Sequence, residues 1–206
     1  FMLSPLSSVI PFADHNPGTR VAFSCAQSRQ GASWYHSNFN KRFDTITLIL
    51  NSPQRPICET WMYPHILGRG GCLPYGFNAI VAISMYGGYN QEDSVILNES
   101  AMKRGLFGTT YFHSYNVVEE MTNEMEGLHT HFGNPAKKGL KLKADKDYSK
   151  LDDNGIIRLG AEVDEDTVLV GVISGETDKS EVAKRGQRGR VDGIQMFTVS
   201  HGSGKN

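Results

Sequence analysis

The chain has 206 residues, enough for one good core or two small ones. Its 21 basic and 22 acidic side chains leave a formal net charge of −1, so no overall basic surplus advertises nucleic acid, and any phosphate contact must come from local clusters. Cys25, Cys58 and Cys72 are odd in number, far apart and without a Cys-x-x-Cys, which argues against a zinc site or a disulfide framework and for reduced thiols.

In chain order, Ser24 to Gln30 and Asp44 to Leu50 permit short helices. The apolar run from Asn78 to Tyr86, centred on Ile80–Tyr86, reads as a buried strand, and Ser94 to Leu97 reads as another. Tyr111 to Val118 alternates aromatic and polar residues, the pattern of a half-buried strand. Glu119 to Lys150 is polar and reads as exposed and partly mobile. Order is expected to return at Gly155, with strands at Ile156-Ile157 and across Val168 to Ile173. Asp178 to Arg190 again reads as polar and flexible, and Val191 to Val199 as a last strand. Short strands with few helices predict a β-rich α+β fold, with a division near Gly108 into residues 1–108 and 109–206. No run approaches the length of a membrane span, and the first residues show neither a basic start nor a cleavage pattern. A soluble, intracellular protein is the expectation.

The most informative stretch is Gly87-Gly88-Tyr89-Asn90-Gln91-Glu92-Asp93-Ser94. Two adjacent carboxylates follow the apolar run in a polar turn. Acids held at a strand end by a stiff scaffold suit metal or phosphate chemistry, because the scaffold fixes where the oxygens point. A plainer reading makes this a turn whose Asn90 and Asp93 hydrogen-bond their own backbone.

Around that turn, the run from Leu73-Pro74 through Tyr-Asn-Gln-Glu-Asp-Ser to Arg104-Gly105-Leu106-Phe107 resembles the second-largest, β-type subunit of multisubunit DNA-directed RNA polymerases. Three more blocks agree in the same order. They are Ile10-Pro11-Phe12-Ala13-Asp14-His15-Asn16 with Arg20 and Gln27-Ser28-Arg29-Gln30-Gly31, then Asn40 to Thr45 with Pro53-Gln54-Arg55-Pro56, then Lys150 to Ile157. Gln91 resembles the eukaryotic and large-DNA-virus branch, because bacterial forms usually carry Phe there. The resemblance implies a partial hybrid-binding and active-site barrel region over 1–108 and a partial wall, or flap, over 109–206. The family's later Gly-Asp-Lys…His-Gly-Gln-Lys-Gly signature does not occur in these residues. Lys184-Arg185-Gly186-Gln187-Arg188-Gly189 mimics it but is read as a loop. A fragment or split piece of the subunit, inactive alone, is therefore expected.

Roles follow from the resemblance residue by residue. It implies that Asp93, with Glu92, approaches the second of two magnesium ions through water, the direct ligands lying on the largest subunit. It places Arg20 at the phosphates of the incoming nucleoside triphosphate, where a guanidinium fork meets two oxygens at once. Arg20 is otherwise a surface arginine paired with Asp14. Gln30, Gln27 and Arg29 fall where the family contacts RNA of the RNA–DNA hybrid, in a way that favours no base. Lys41 and Arg42 add candidate backbone contacts.

Lys137, Lys138, Lys141 and Lys143 suit a solvated lysine face better than a binding patch. His129 and His131 lack a third ligand nearby, and no zinc is expected in this segment. Trp34 and Trp61 read as core or interface aromatics. The implied partners are the largest subunit and other polymerase subunits, template DNA and nucleotides, and no membrane. The implied setting is the nucleus, or cytoplasm and virion for a viral enzyme. Rival readings are a non-catalytic nucleic-acid-binding β module and a stand-alone metal-dependent phosphoesterase.

Overall fold

The computed structural model of the protein describes residues 3–68, 73–120 and 129–198, and its contacts divide between Tyr115 and Asn116 into two units. In the first unit the β-branched, period-two run Ile46-Thr47-Leu48-Ile49-Leu50 forms β1 (Ile46–Leu50). Thr47 and Ile49 point inward, Ile46 and Leu48 outward. The helix expected from Asp44 to Leu50 is thus a strand. Its partner is β2 (Thr109–His113), antiparallel, with Ile46 opposite His113 and Leu50 opposite Thr109. A partner so distant in sequence outweighs local propensity. The half-buried strand expected from Tyr111 to Val118 therefore begins earlier and ends at His113. Although β2 follows Gly108, it packs with β1 in the first unit.

The helix α1 (Gly18–Ser28) starts ahead of the expected Ser24, directly after Pro17, and Val21 is its one buried residue. Two shorter helices, α2 (Tyr63–Ile66) and α3 (Glu99–Lys103), follow. At α3 the Asn98 side chain accepts from the Ala101 N–H at 2.9 Å, satisfying one of the helix's orphan donors.

Ile80–Tyr86 and Ser94–Leu97 are not strands. Neither stretch pairs with a strand among the described residues, and Ile80 and Ile83 are fully exposed, at 105% and 99%. A strand needs a neighbour for its backbone groups, and apolar sequence alone supplies none.

The second unit is built from short strands: β3 (Thr130–Phe132), β4 (Glu162–Val163), β5 (Val168–Val170), β6 (Val172–Ser174), β7 (Thr177–Asp178), β8 (Glu181–Val182) and β9 (Gly189–Arg190). The strands form a sheet ordered β3-β6-β7 and two separate pairs, β4–β9 and β5–β8. The strand expected over Val168–Ile173 is present as β5 and β6, broken at Gly171. There the backbone passes against Gly133, whose N–H donates to the Gly171 carbonyl at 3.1 Å. Ile156 and Ile157 make only isolated bridges, to Val170 and Leu151. Val168 and Ile173 are essentially sealed from solvent, and Leu151, Ile157, Leu169, Val172 and Ala183 join them in the core.

Two stretches expected to be exposed are mostly so, but each also contributes buried residues. Within Glu119–Lys150 (residues 121–128 lie outside the described residues), Asn134, Pro135 and Tyr148 are buried. Within Asp178–Arg190, Asp178, Ser180 and Ala183 are buried. Polar residues are tolerated there because they bond one another, which a hydropathy pattern does not reveal. Residues 191–198 of the expected last strand are mostly exposed and form no strand, and Val199 lies outside the described residues. The protein is strand-rich with few helices.

Candidate active site

The acidic turn is made by two successive chain reversals. In the first, Gly87 and Gly88 take left-handed φ values of 58° and 78°, and the Tyr89 N–H donates to the Tyr86 carbonyl at 3.0 Å. Two left-handed residues in succession suit glycine, which has no Cβ to clash. In the second, the Ser94 N–H donates to the Gln91 carbonyl at 3.1 Å while Glu92 adopts a φ of 57°. That is an uncommon conformation for a residue with a side chain. Glu92 and Asp93 are both exposed, and neither carboxylate has a hydrogen bond or ion pair with the described residues. Asn90 does bond its neighbouring backbone, as the plain turn reading holds, but Asp93 does not.

Arg20 lies exposed on α1, its guanidinium 5.6 Å from the centre of the Phe23 ring. It is not paired with Asp14, which instead lies 3.7 Å from His15. Gln27, Arg29 and Gln30 cluster, exposed, at the end of α1. The turn that follows is clamped by Tyr75, whose hydroxyl donates to the Ser28 carbonyl. A side chain at Gly31 would overlap that same hydroxyl.

Lys41 ends a short 3-10 turn and is exposed. Arg42 is committed elsewhere: its Nε and a terminal nitrogen donate to the two oxygens of Asp44 at 2.9 and 3.3 Å. Tyr35 donates to Asp44 as well. The hydrogen bonds from Arg42, then from Tyr35, hold the Asp44 carboxyl below the usual carboxylate range. The structure thus gathers the predicted residues into three groups, on the acidic turn, on α1 and on the Lys41–Arg42 loop. No hydrogen bond or ion pair among the described residues joins one group to another.

In the second unit the lysine-rich stretch is knitted into the fold. Lys137 pairs with Asp153, Lys138 reaches His131 at 2.8 Å, and Lys143 donates to the Ser180 carbonyl at 2.6 Å. His131 thus faces an ammonium group. No group of three or more His, Cys, Asp or Glu among the described residues is placed to hold a metal ion. Glu92 and Asp93 alone do not form a complete magnesium site, although two unengaged carboxylates on a tight turn fit a role through water.

Lys184 to Gln187 is a turn between β8 and β9, the loop expected there, with Gly186 at a φ of 80°. Trp34 is half-buried and donates to the Leu50 carbonyl at 2.9 Å, whereas Trp61 is exposed and stands against His65. Cys25 and Cys58 are free, and Cys72 lies outside the described residues. No helix among the described residues is long and apolar enough to cross a membrane.

Comparison with known proteins bears on this arrangement. The family model RNA polymerase Rpb2, domain 6 matches residues 6–204, across both units. The chain is 38% identical to DNA-directed RNA polymerase II subunit RPB2 of Encephalitozoon cuniculi over 89% of its length and 16% of the relative's. It is 38% identical to DNA-directed RNA polymerase II subunit 2 of Arabidopsis thaliana, over 82% of this chain and 14% of that one. It is 33% identical to the DNA-directed RNA polymerase subunit Rpo2 of Sulfolobus acidocaldarius, over 98% of this chain and 19% of the relative. The chain therefore spans less than a fifth of these relatives. With four sequence blocks, a matched model and relatives in eukaryotes and archaea in agreement, the chain belongs to the RNA polymerase Rpb2, domain 6 family.

Proposed function

We propose that the chain is part of the second-largest subunit of a DNA-directed RNA polymerase and works in transcription as one element of a multisubunit nucleotidyltransferase inside the cell. The observation that carries this reading is the acidic turn, with two exposed, unengaged carboxylates inside the block that matches the Rpb2 family. When bound, magnesium supplies the positive charge that organises the triphosphate and stabilises charge developing in phosphoryl transfer.

The chain's own residues bind and orient. Asp93, with Glu92, would help hold the metal through water, the direct ligands being supplied by the largest subunit. Arg20, with no carboxylate partner among the described residues, offers its fork to the nucleotide's phosphates. Gln27, Arg29 and Gln30 touch the RNA of the hybrid through its backbone, so no base is favoured. Lys41 adds a further backbone contact, while Arg42 must be shared with Asp44. In this reading 1–108 lines the hybrid within the active-site barrel region and 109–206 contributes to the wall. The chain alone makes no RNA, because the direct metal ligands are elsewhere.

The test is a polymerase assembled with Asp93→Ala. Nucleotide addition is expected to fall about 10- to 100-fold, the range for a partner acting on a metal through water, with assembly intact. An unchanged rate at limiting magnesium would reduce Asp93 to a turn residue.

A further inference from the structure

We infer that Asn90 is the positioning residue that fixes the direction of Glu92 and Asp93. From Asn78 to Ser100 every residue is exposed except Gly88 and Asn90, so the acidic turn gains little from packing. What ties it down is one amide. Asn90 Oδ1 accepts from the Tyr86 N–H at 3.0 Å, and Asn90 Nδ2 donates to the Ser84 carbonyl at 2.6 Å. Both arms of the side chain are therefore spent on the backbone of the segment entering the turn.

The geometry makes this amide the only side-chain tie between the entering segment and the acids among the described residues. The Gly87-Gly88 reversal leads into Asn90, and the second reversal, carrying Glu92 at its left-handed φ, begins at Gln91 directly after it. Rotation of the backbone at Asn90 swings both carboxylates as a unit. Holding Asn90 to Ser84 and Tyr86 removes that freedom. Asparagine suits the task because a planar amide carries a donor and an acceptor in fixed relation, with no charge to compete for the metal's water. Aspartate lacks the donor, and glutamine places the amide one carbon further out.

This inference rests on the acidic turn's proposed role in nucleotide addition, and the experiment separates the two. In the assembled polymerase, Asn90→Ala is combined with Glu92→Ala/Asp93→Ala in a double-mutant cycle. The rate of addition and the magnesium concentration for half-maximal rate are both read. Hydrogen exchange at the Tyr86 amide is read beside them, without nucleotide or magnesium: it is expected to quicken in Asn90→Ala with or without the acids, and unchanged exchange would overturn the hold. Asn90→Ala alone is expected to raise the magnesium requirement about 10-fold, at the low end for such partners. In the Glu92→Ala/Asp93→Ala background it is expected to add nothing, since the groups it aims are gone.

If Asn90→Ala costs the same in both backgrounds, or nothing in the native one while the acid-deficient enzyme is slow, the positioning role is overturned. If the acid-deficient enzyme is as fast as the native one, the reading of the turn itself fails, and the positioning role with it. Asn90→Ser, which keeps a short side-chain acceptor near the Tyr86 N–H, carries the same cycle should the alanine variant not assemble. Its expected defect is smaller and equally absent without the acids.

Discussion

Tyr148 donates its hydroxyl hydrogen to Asp178, a carboxylate 30 residues away, and the two are 6% and 9% exposed. Asp178 also accepts from the Ser180 N–H at 2.9 Å, and the Tyr148 oxygen accepts from the Lys143 N–H at 3.1 Å. Burial works to raise the Asp178 carboxyl, but the hydrogen bonds from Ser180 and Tyr148 outweigh it and hold the group below the usual range. Burial, and then the bond to Asp178, push Tyr148 up from 10.0 to about 12.

The signs give stability a window. A carboxyl depressed in the fold contributes stability that is present above its unfolded value, about 3.9, and lost as pH falls through its folded value. A tyrosine raised in the fold contributes stability that is intact below about 10 and fades as pH climbs toward about 12. Denaturant unfolding followed against pH should therefore show the second unit weakening at both ends. Tyr148→Phe should cost about 1–3 kcal/mol near neutral pH, because it strips a partner from a buried carboxylate and leaves the Lys143 N–H without its acceptor. It should also remove the alkaline limb. A Tyr148→Phe protein as stable as the native one would show that the pair is solvated.

Gly171 and Gly155 both press their Cα atoms against Gly133. A Cβ at either position would overlap the Gly133 carbonyl oxygen, which is backbone and has no rotamer to yield. Gly155 also sits at a φ of 79°. Gly171→Ala should destabilise the second unit by about 1–3 kcal/mol or more, the cost of overpacking a closed site. Gly189→Ala, where a Cβ would meet nothing within 4 Å, should be close to neutral. Urea midpoints of the two variants compare them directly, and equal midpoints would mean the crossing relaxes freely.

How much of this was legible in the sequence depends on whether the deciding contact is local. The Val168–Ile173 strands and the turn at Lys184–Gln187 were legible because β-branched runs and Gly-containing polar turns act within a few residues, although Gly189, expected in the loop, opens β9. β1 was misread as a helix because its partner, β2, lies far along the chain. Asp178 and Ser180 looked solvated because nothing near them in sequence announces Tyr148. At the candidate site the acids, Arg20 and the glutamines were legible as residue types in family blocks. The commitment of Arg42 to Asp44 was not legible, because Asp44 reads as the start of a helix, and neither was the convergence of Tyr35 on the same carboxylate. That Asn90 bonds nearby backbone is legible from its place in a polar turn, whereas the use of both arms, on Ser84 and Tyr86, is not.

Arg20→Lys should impair an assembled polymerase even though the charge remains. An ammonium is a point charge and does not reproduce two-pronged contact with phosphate oxygens. With no carboxylate partner for Arg20 among the described residues, the substitution breaks no ion pair, so folding should be unaffected. The expected signature is a raised KM for all four nucleotides alike, since phosphate contacts carry no base information. A defect confined to one nucleotide would place Arg20 against a base.

Ile80 to Tyr86 tests whether the first unit is complete by itself. The segment is apolar, yet Ile80, Ile83 and Met85 are 105%, 99% and 84% exposed, and no strand pairs with it among the described residues. Backbone N–H groups without partners exchange with solvent at rates close to those of an unfolded chain, whereas strand pairing slows exchange by the free energy of opening. Burying the two isoleucines alone would yield roughly 3–6 kcal/mol, at about 1.5–3 kcal/mol per side chain, enough to hold a neighbouring strand in place. Hydrogen exchange on the free chain should find the amides of residues 80–85 unprotected, with Tyr86, whose N–H donates to Asn90 Oδ1, and Ile49 and Leu50 in β1 slower. In an assembled polymerase the same amides should become protected, because a subunit of the relatives' length, more than five times that of this chain, has further segments to supply neighbours. Strong, equal protection in both states would mean that the segment finds its partner within this chain. The first unit would then fold as an independent module rather than as a piece of a larger enzyme.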